Sequence, residues 1–171
     1  AITATQVDSL STTQLAAITP EAVAGLSAAA VGSLDTAQVG ALTTAQAAAI
    51  TPDQVGALST AQIAAITPST LGALMPAALA ELSAAAIGGL DAAQVAALTV
   101  TQLNALSPAQ VQQLSPTVLA GLSTEALTAL AADLSAAQTK AVADIVAGKA
   151  ITTTAAGALT SEAVNALSPT T

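Results

Sequence analysis

Aliphatic residues recur along this chain with a period of eight. They fill every eighth position from Ile2 to Leu130 without a gap, and a second series trails the first by five residues, from Val7 to Leu127, with Ala47 its one small member. The position after each leading aliphatic is Ser or Thr in thirteen of sixteen octads, Asp at Asp35 and Asp91, and Met at Met75. Three residues further on, Gln stands in nine of sixteen. Short hydroxyl and carboxylate side chains accept hydrogen bonds from the free amides at a helix start. A Gln three residues later returns to the amide of the cap residue and completes a capping box. The aliphatic residue before the cap and the one at the fourth helical position form a hydrophobic staple. The expected caps are Ser11, Thr19, Ser27, Asp35, Thr43, Thr51, Ser59, Thr67, Ser83, Asp91, Thr99, Ser107, Ser115 and Ser123.

Proline obeys the same frame. Pro20, Pro52, Pro68, Pro76, Pro108 and Pro116 each follow a cap position. There a missing amide costs nothing and the fixed φ suits a helix start. Glu21, Asp53 and Glu125 fall one residue later, toward the positive end of a helix dipole.

A helix start every eight residues requires a helix stop every eight. One long helix is excluded, since eight residues at about 100° each drift by about 80° per repeat and no face stays apolar. The pattern predicts an all-α solenoid of helices of about six residues, with the leading Leu both ending one helix and stapling the next. A β-solenoid is the competing structure. The five-then-three spacing would place the two aliphatic series on opposite faces of a strand, and the prolines oppose it as well. One octad buries too little to fold alone, so the repeats must stack. Two octads per superhelical turn is a plausible geometry. Local capping is the favoured role of the Gln column, ahead of a hydrogen-bonded ladder between coils. Glycine recurs near the end of the octad, which suggests close approach of consecutive coils or a helix already turning.

The period breaks once. Residues 1–130 form one repeat block. Within 131–150, Leu134-Ser135-Ala136-Ala137-Gln138 opens a new cap only four residues on from Leu130, with Thr139 in the aliphatic place, and a longer helix is expected through Val142, Ile145 and Val146 to Gly148. The octad resumes over 151–171. Lys140 and Asp144 are spaced as an i,i+4 pair, and Lys149 follows. The expected role of this segment is a joint between two repeat blocks, and a docking or hinge element, carried by Lys140, Asp144 and Lys149, is the alternative. Residue 1 falls inside an octad and the chain stops at another helix start, so it reads as a segment of a longer array.

Composition narrows the chemistry. Phe, Trp, Tyr, His, Cys and Arg are absent, and the net charge is −8. With two lysines and no basic patch, nucleic-acid binding is not expected. No apolar run approaches the length of a bilayer span, so no membrane insertion is expected. A Ser–Lys pair would need Lys140 or Lys149 desolvated beside a hydroxyl, and Ser135 and Thr152 read as caps instead. The carboxylates are scattered singly, without calcium-loop spacing. The chain is therefore expected not to be an enzyme, and to hold no metal or cofactor.

The segments Leu42-Thr43-Thr44-Ala45-Gln46 and Leu58-Ser59-Thr60-Ala61-Gln62-Ile63-Ala64-Ala65 resemble the tandem octapeptide repeat of large secreted bacterial surface proteins, often described as adhesin-like or concerned with haem utilisation or adhesion. The resemblance spans residues 2–130 and 151–171. It implies a stalk, spacer or filament body at the bacterial cell surface or outside it. An adhesive or binding module, using the solenoid surface or the joint, is the alternative. Haem binding does not follow, because Met75 is the only residue resembling an axial ligand and it occupies a cap slot. Open repeat ends make head-to-tail or lateral self-association the expected partnership.

Overall fold

The structure, a computed structural model, describes residues 4–147. All regular structure among them is helical, with no strand. In chain order the helices are α1 (Ala4–Asp8), α2 (Thr12–Ala16), α3 (Pro20–Ala24), α4 (Ala28–Gly32), α5 (Thr36–Gly40), α6 (Thr44–Ala49), α7 (Pro52–Gly56), α8 (Thr60–Ala65) and α9 (Pro68–Leu71). There follow α10 (Pro76–Ala80), α11 (Ala84–Gly88), α12 (Ala92–Ala96), α13 (Val100–Leu103), α14 (Pro108–Val111), α15 (Pro116–Leu119), α16 (Thr124–Leu130) and α17 (Ala136–Ala147). The chain is an all-α solenoid, one short helix per octad. The resumed octads over 151–171 lie outside the described residues.

Each octad is built the same way. The cap residue is extended (Thr51 has φ −79° and ψ 159°) and its carbonyl receives the first i→i−4 bond, as from the Val55 amide at 3.1 Å. The helix tightens at its end. The leading aliphatic of the next octad closes an i→i−3 bond onto the aliphatic before it, such as Leu26 N–H to the Val23 carbonyl at 3.1 Å. Sequence reasoning made this residue the last of the helix. In α6 and α8 it is already extended, Ile50 with ψ 130° and Ile66 with ψ 132°. An extended aliphatic followed by an extended cap is the corner that redirects the chain.

Three corners close one coil, not the two suggested from sequence. α4, α7, α10 and α13 begin at Ala28, Pro52, Pro76 and Val100, so the period of stacking is 24 residues. One side stacks α1, α4, α7, α10, α13 and α16. A second stacks α2, α5, α8, α11 and α14, and a third stacks α3, α6, α9, α12, α15 and α17. The eight-residue period fixes the helix and its caps, but the number of helices per coil depends on the angle turned at each corner. That angle has no signature in the hydrophobic pattern.

Both aliphatic series face inward. Val23, Val31, Val39, Val55, Ile63 and Leu71 lie in the core with Leu26, Leu34, Leu42, Ile66 and Leu74. The 5-then-3 spacing brings this about because the fourth helical residue and the residue just past the helix lie on one side of so short an element.

Four of the octad glycines mark close stacking. A Cβ on Gly32, Gly40 or Gly72 would stand 2.9, 3.0 or 2.6 Å from the carbonyl oxygen of Ala57, Ala65 or Ala97, and one on Gly88 would stand 3.1 Å from that of Gln113. Each partner lies 25 residues on, in the next coil. Gly25 and Gly121 meet only the backbone of their own octad, at 3.4 Å or more.

The joint does not interrupt the stack. α17 packs on α15, the third side, and so skips the second side, over α14, where the repeat would have put its next helix. From Ser115 to Ser135 the coil takes 20 residues instead of 24. No helix among the described residues stacks on α14, and residues 131–134 are the turn that joins α16 to α17. Thr139, in an aliphatic place, is buried and its hydroxyl donates to the Ser135 carbonyl at 3.1 Å.

Candidate functional site

The chemistry of this chain is concentrated at the start of each helix. Ser11, Thr19, Ser27, Asp35, Thr43, Thr51 and Ser59 each accept a hydrogen bond from the amide three residues on. Thr67, Ser83, Asp91, Thr99, Ser107, Ser115 and Ser123 do the same. Distances run from 2.7 Å at Asp35 to 3.4 Å at Thr51. Each bond satisfies one of the amides that a helix start leaves without an intrahelical partner. Met75 has the same extended backbone but no side-chain bond, and is exposed.

The glutamines do more than cap. Gln54 Oε1 accepts from the Thr51 amide at 2.8 Å, while its Nε2 donates to the carbonyls of Val23 at 2.9 Å and Leu26 at 2.7 Å, one coil below. Gln38 reaches Leu10, Gln46 reaches Ile18, Gln94 reaches Ile66, Gln102 reaches Leu74 and Gln110 reaches Leu82, all at 2.7–2.8 Å. Gln62 bonds in the same manner to Leu34. The favoured reading, local capping alone, was too narrow: the ladder exists, and it runs from side chain to backbone. An amide is the only neutral side-chain group that offers an acceptor and two donors on one rigid plane. From Gln38 onward these residues are buried, whereas Gln14 in the first coil is exposed. The sequence signal was there to be read. A long polar residue directly before the aliphatic of a short helix lies beside the core once a coil stacks beneath it.

Shorter residues show what the position requires. Thr70 stands where Gln would, and its hydroxyl donates to the Leu42 carbonyl at 3.2 Å, 28 residues back as in the Gln octads. Gln138 makes both halves of the arrangement across the shortened coil. It accepts from Ser135 N at 3.0 Å and donates to the carbonyls of Val111 at 3.0 Å and Leu114 at 2.8 Å. Four residues have dropped out, yet the hydrogen-bond register is restored at the first octad after the loss. No buried side-chain nitrogen or oxygen among the described residues lacks a hydrogen-bond partner.

The residues expected to dock a partner stand elsewhere. Lys140 Nζ and Asp144 Oδ2 are 2.8 Å apart on the outside of α17, with side chains 70% and 66% exposed. Lys149 lies outside the described residues. No three His, Cys, Asp or Glu among the described residues are placed to hold a metal ion, and no described helix is long and apolar enough to cross a membrane.

Fold and hydrogen-bond ladder together define a tandem-repeat solenoid. Comparison with known families agrees: the family model described as the ALTTAQ repeat matches residues 23–52, a stretch that includes Ala41-Leu42-Thr43-Thr44-Ala45-Gln46. No curated protein and no solved structure matches the chain.

Proposed function

We propose that the chain is a structural segment, a stalk, spacer or filament body of a bacterial extracellular or cell-surface assembly. The observation that carries this reading is the use made of the buried amides. Eight glutamines, from Gln38 to Gln138, are 6% exposed or less, and each ties its own helix start to the coil beneath. Polar side chains buried at such a site are spent on holding successive coils in register, which an array under tension along its axis requires. In solenoids each repeat touches only its neighbours, so length can be added or removed without redesigning the whole. The cell-surface setting rests on the resemblance of the repeat, and self-association at the open faces of the stack belongs to the same reading.

The test is length against coil number. Chains lacking residues 51–74, or carrying them twice, should remain folded. In negative-stain micrographs they should form rods that change by about 8–10 Å per coil, the usual spacing of packed helix axes. A dilution series then separates a spacer, which stays as single rods, from a filament subunit, which grows into fibres. Rods whose length does not follow coil number would overturn the structural reading.

A further inference from the structure

We infer that the array has a built-in seam beneath its fourth coil (residues 75–98), along residues 75–90, where the stack opens more readily than beneath the matching sides of the third coil (residues 51–74) and the fifth (residues 99–122). This concerns the cohesion of the chain itself and stands apart from the spacer reading.

Three sides meet at every level, and each can carry one polar tie. Coil two is tied to coil one by Gln38 and Gln46. Coil three is tied to the chain beneath it by Gln54, Gln62 and the shorter Thr70. Coil five is tied to the chain beneath it by Gln102 and Gln110, and Val118 and Ala126 further up, which also lack a tie, follow helix starts capped by Ser115 and Ser123. Coil four is tied to coil three by Gln94 alone, because Ala78 and Ala86 stand in the other two places. Among the described residues, no side chain donates to the carbonyls of Ile50 and Leu58, which are 28 residues before those alanines.

The same coil begins at Met75, the one cap position from residue 11 to residue 123 without a side-chain bond. Missing ties on two adjacent sides and a missing cap thus fall within one stretch, 75–90. Apolar burial does not single this level out. Leu79 and Ile87 are as fully buried as Val55 and Ile63, and Leu82 and Leu90 match Leu34 and Leu42. Directional bonds therefore distinguish the levels. Solenoid stability sums over nearest-neighbour interfaces, so a stretch with fewer ties than those directly below and above it has the larger open population.

Amide hydrogen exchange on the full chain, resolved by peptide, tests this. Residues 75–90 should exchange at least tenfold faster than the same two sides of the neighbouring coils, 51–66 and 99–114. Equal or stronger protection of 75–90 would overturn the inference. Gln102→Ala with Gln110→Ala should bring 99–114 to the exchange rate of 75–90. An unchanged rate there would show that the amide ties do not set cohesion. If that double variant fails to fold, the comparison within the unaltered chain still decides.

Discussion

The side-chain nitrogen of Gln54 lies 2.7 Å from the carbonyl oxygen of Leu26, 28 residues earlier in the chain. The other end of the same amide holds the Thr51 backbone at 2.8 Å. Gln54→Ala loses both bonds and leaves buried backbone groups without partners, a loss of about 1–3 kcal/mol. Gln54→Glu is the sharper test. It keeps the acceptor toward Thr51 but turns an oxygen toward two carbonyl oxygens. Burial and these dipoles disfavour the carboxylate, so its pKa in the folded chain lies above the unfolded value. The folded state then binds the proton more tightly, and stability falls as pH rises through the folded pKa. Urea denaturation of Gln54→Glu should show recovery at acid pH that Gln54→Ala lacks. Two parallel pH profiles would show that the inter-coil bond carries little.

Gly72 and Gly25 occupy similar places at the ends of α9 and α3 but should respond oppositely to alanine. A Cβ on Gly72 would stand 2.6 Å from the Ala97 carbonyl oxygen, and neither backbone can yield without separating two coils. Overpacking of this kind costs about 1–3 kcal/mol. Gly25 has φ −81°, and its nearest contacts are 3.5 Å away within its own helix. Alanine there removes freedom only from the unfolded chain and should stabilise by about 0.4–1 kcal/mol. Thermal unfolding of the two variants should move the midpoint in opposite directions.

Met75 offers a gain. Its backbone already has the cap conformation, φ −64° and ψ 143°, and Pro76 follows at the first helical position. Met75→Ser supplies the missing acceptor for the Ala78 amide, worth about 0.5–1 kcal/mol by the usual range for caps. The exposed methionine gives up little burial in exchange. Calorimetry should show a higher midpoint. No change would mean that the Met75 carbonyl, which already receives the Ala78 amide at 2.9 Å, satisfies that group.

These cases show how far residue pattern reaches. Caps, prolines and staples were legible because their chemistry is local: Thr51 and Gln54 are three residues apart, and the helix start explains both. The pairing of Gln54 with Leu26 was not, because it depends on the 24-residue coil, and that length is set by corner angles at residues such as Ile50 and Thr51. Glycine spacing hinted at close coils, yet only the stacking distinguishes Gly72 from Gly25. The four-residue loss after Leu130 was visible in sequence as a break. That it shortens one side of the coil, and leaves Gln138 in register, follows only from where α17 lies.

The joint supplies the strongest contrast between positions that look alike on paper. Residues 131–134 are the turn between α16 and α17, at the point where every earlier coil has a helix on its second side. Four small residues inserted between Asp133 and Leu134 would return the coil to 24 residues at a place where no column depends on the local spacing. Lengthening a surface connection costs only the slowly growing loop-closure term, a few tenths of a kcal/mol. The same insertion between Ala57 and Leu58 falls inside a corner. It shifts α8 and all that follows by half an octad against the coil below, moving Gln62 away from Leu34 and the aliphatic series out of the core. We expect the first variant to unfold cooperatively within about 1 kcal/mol of the parent. The second should lose cooperativity in the coils on either side of the insertion, seen as a broadened denaturation curve with a reduced slope. Equal tolerance of both would mean that the solenoid is held by unspecific burial, and that the amide ladder does not set its register.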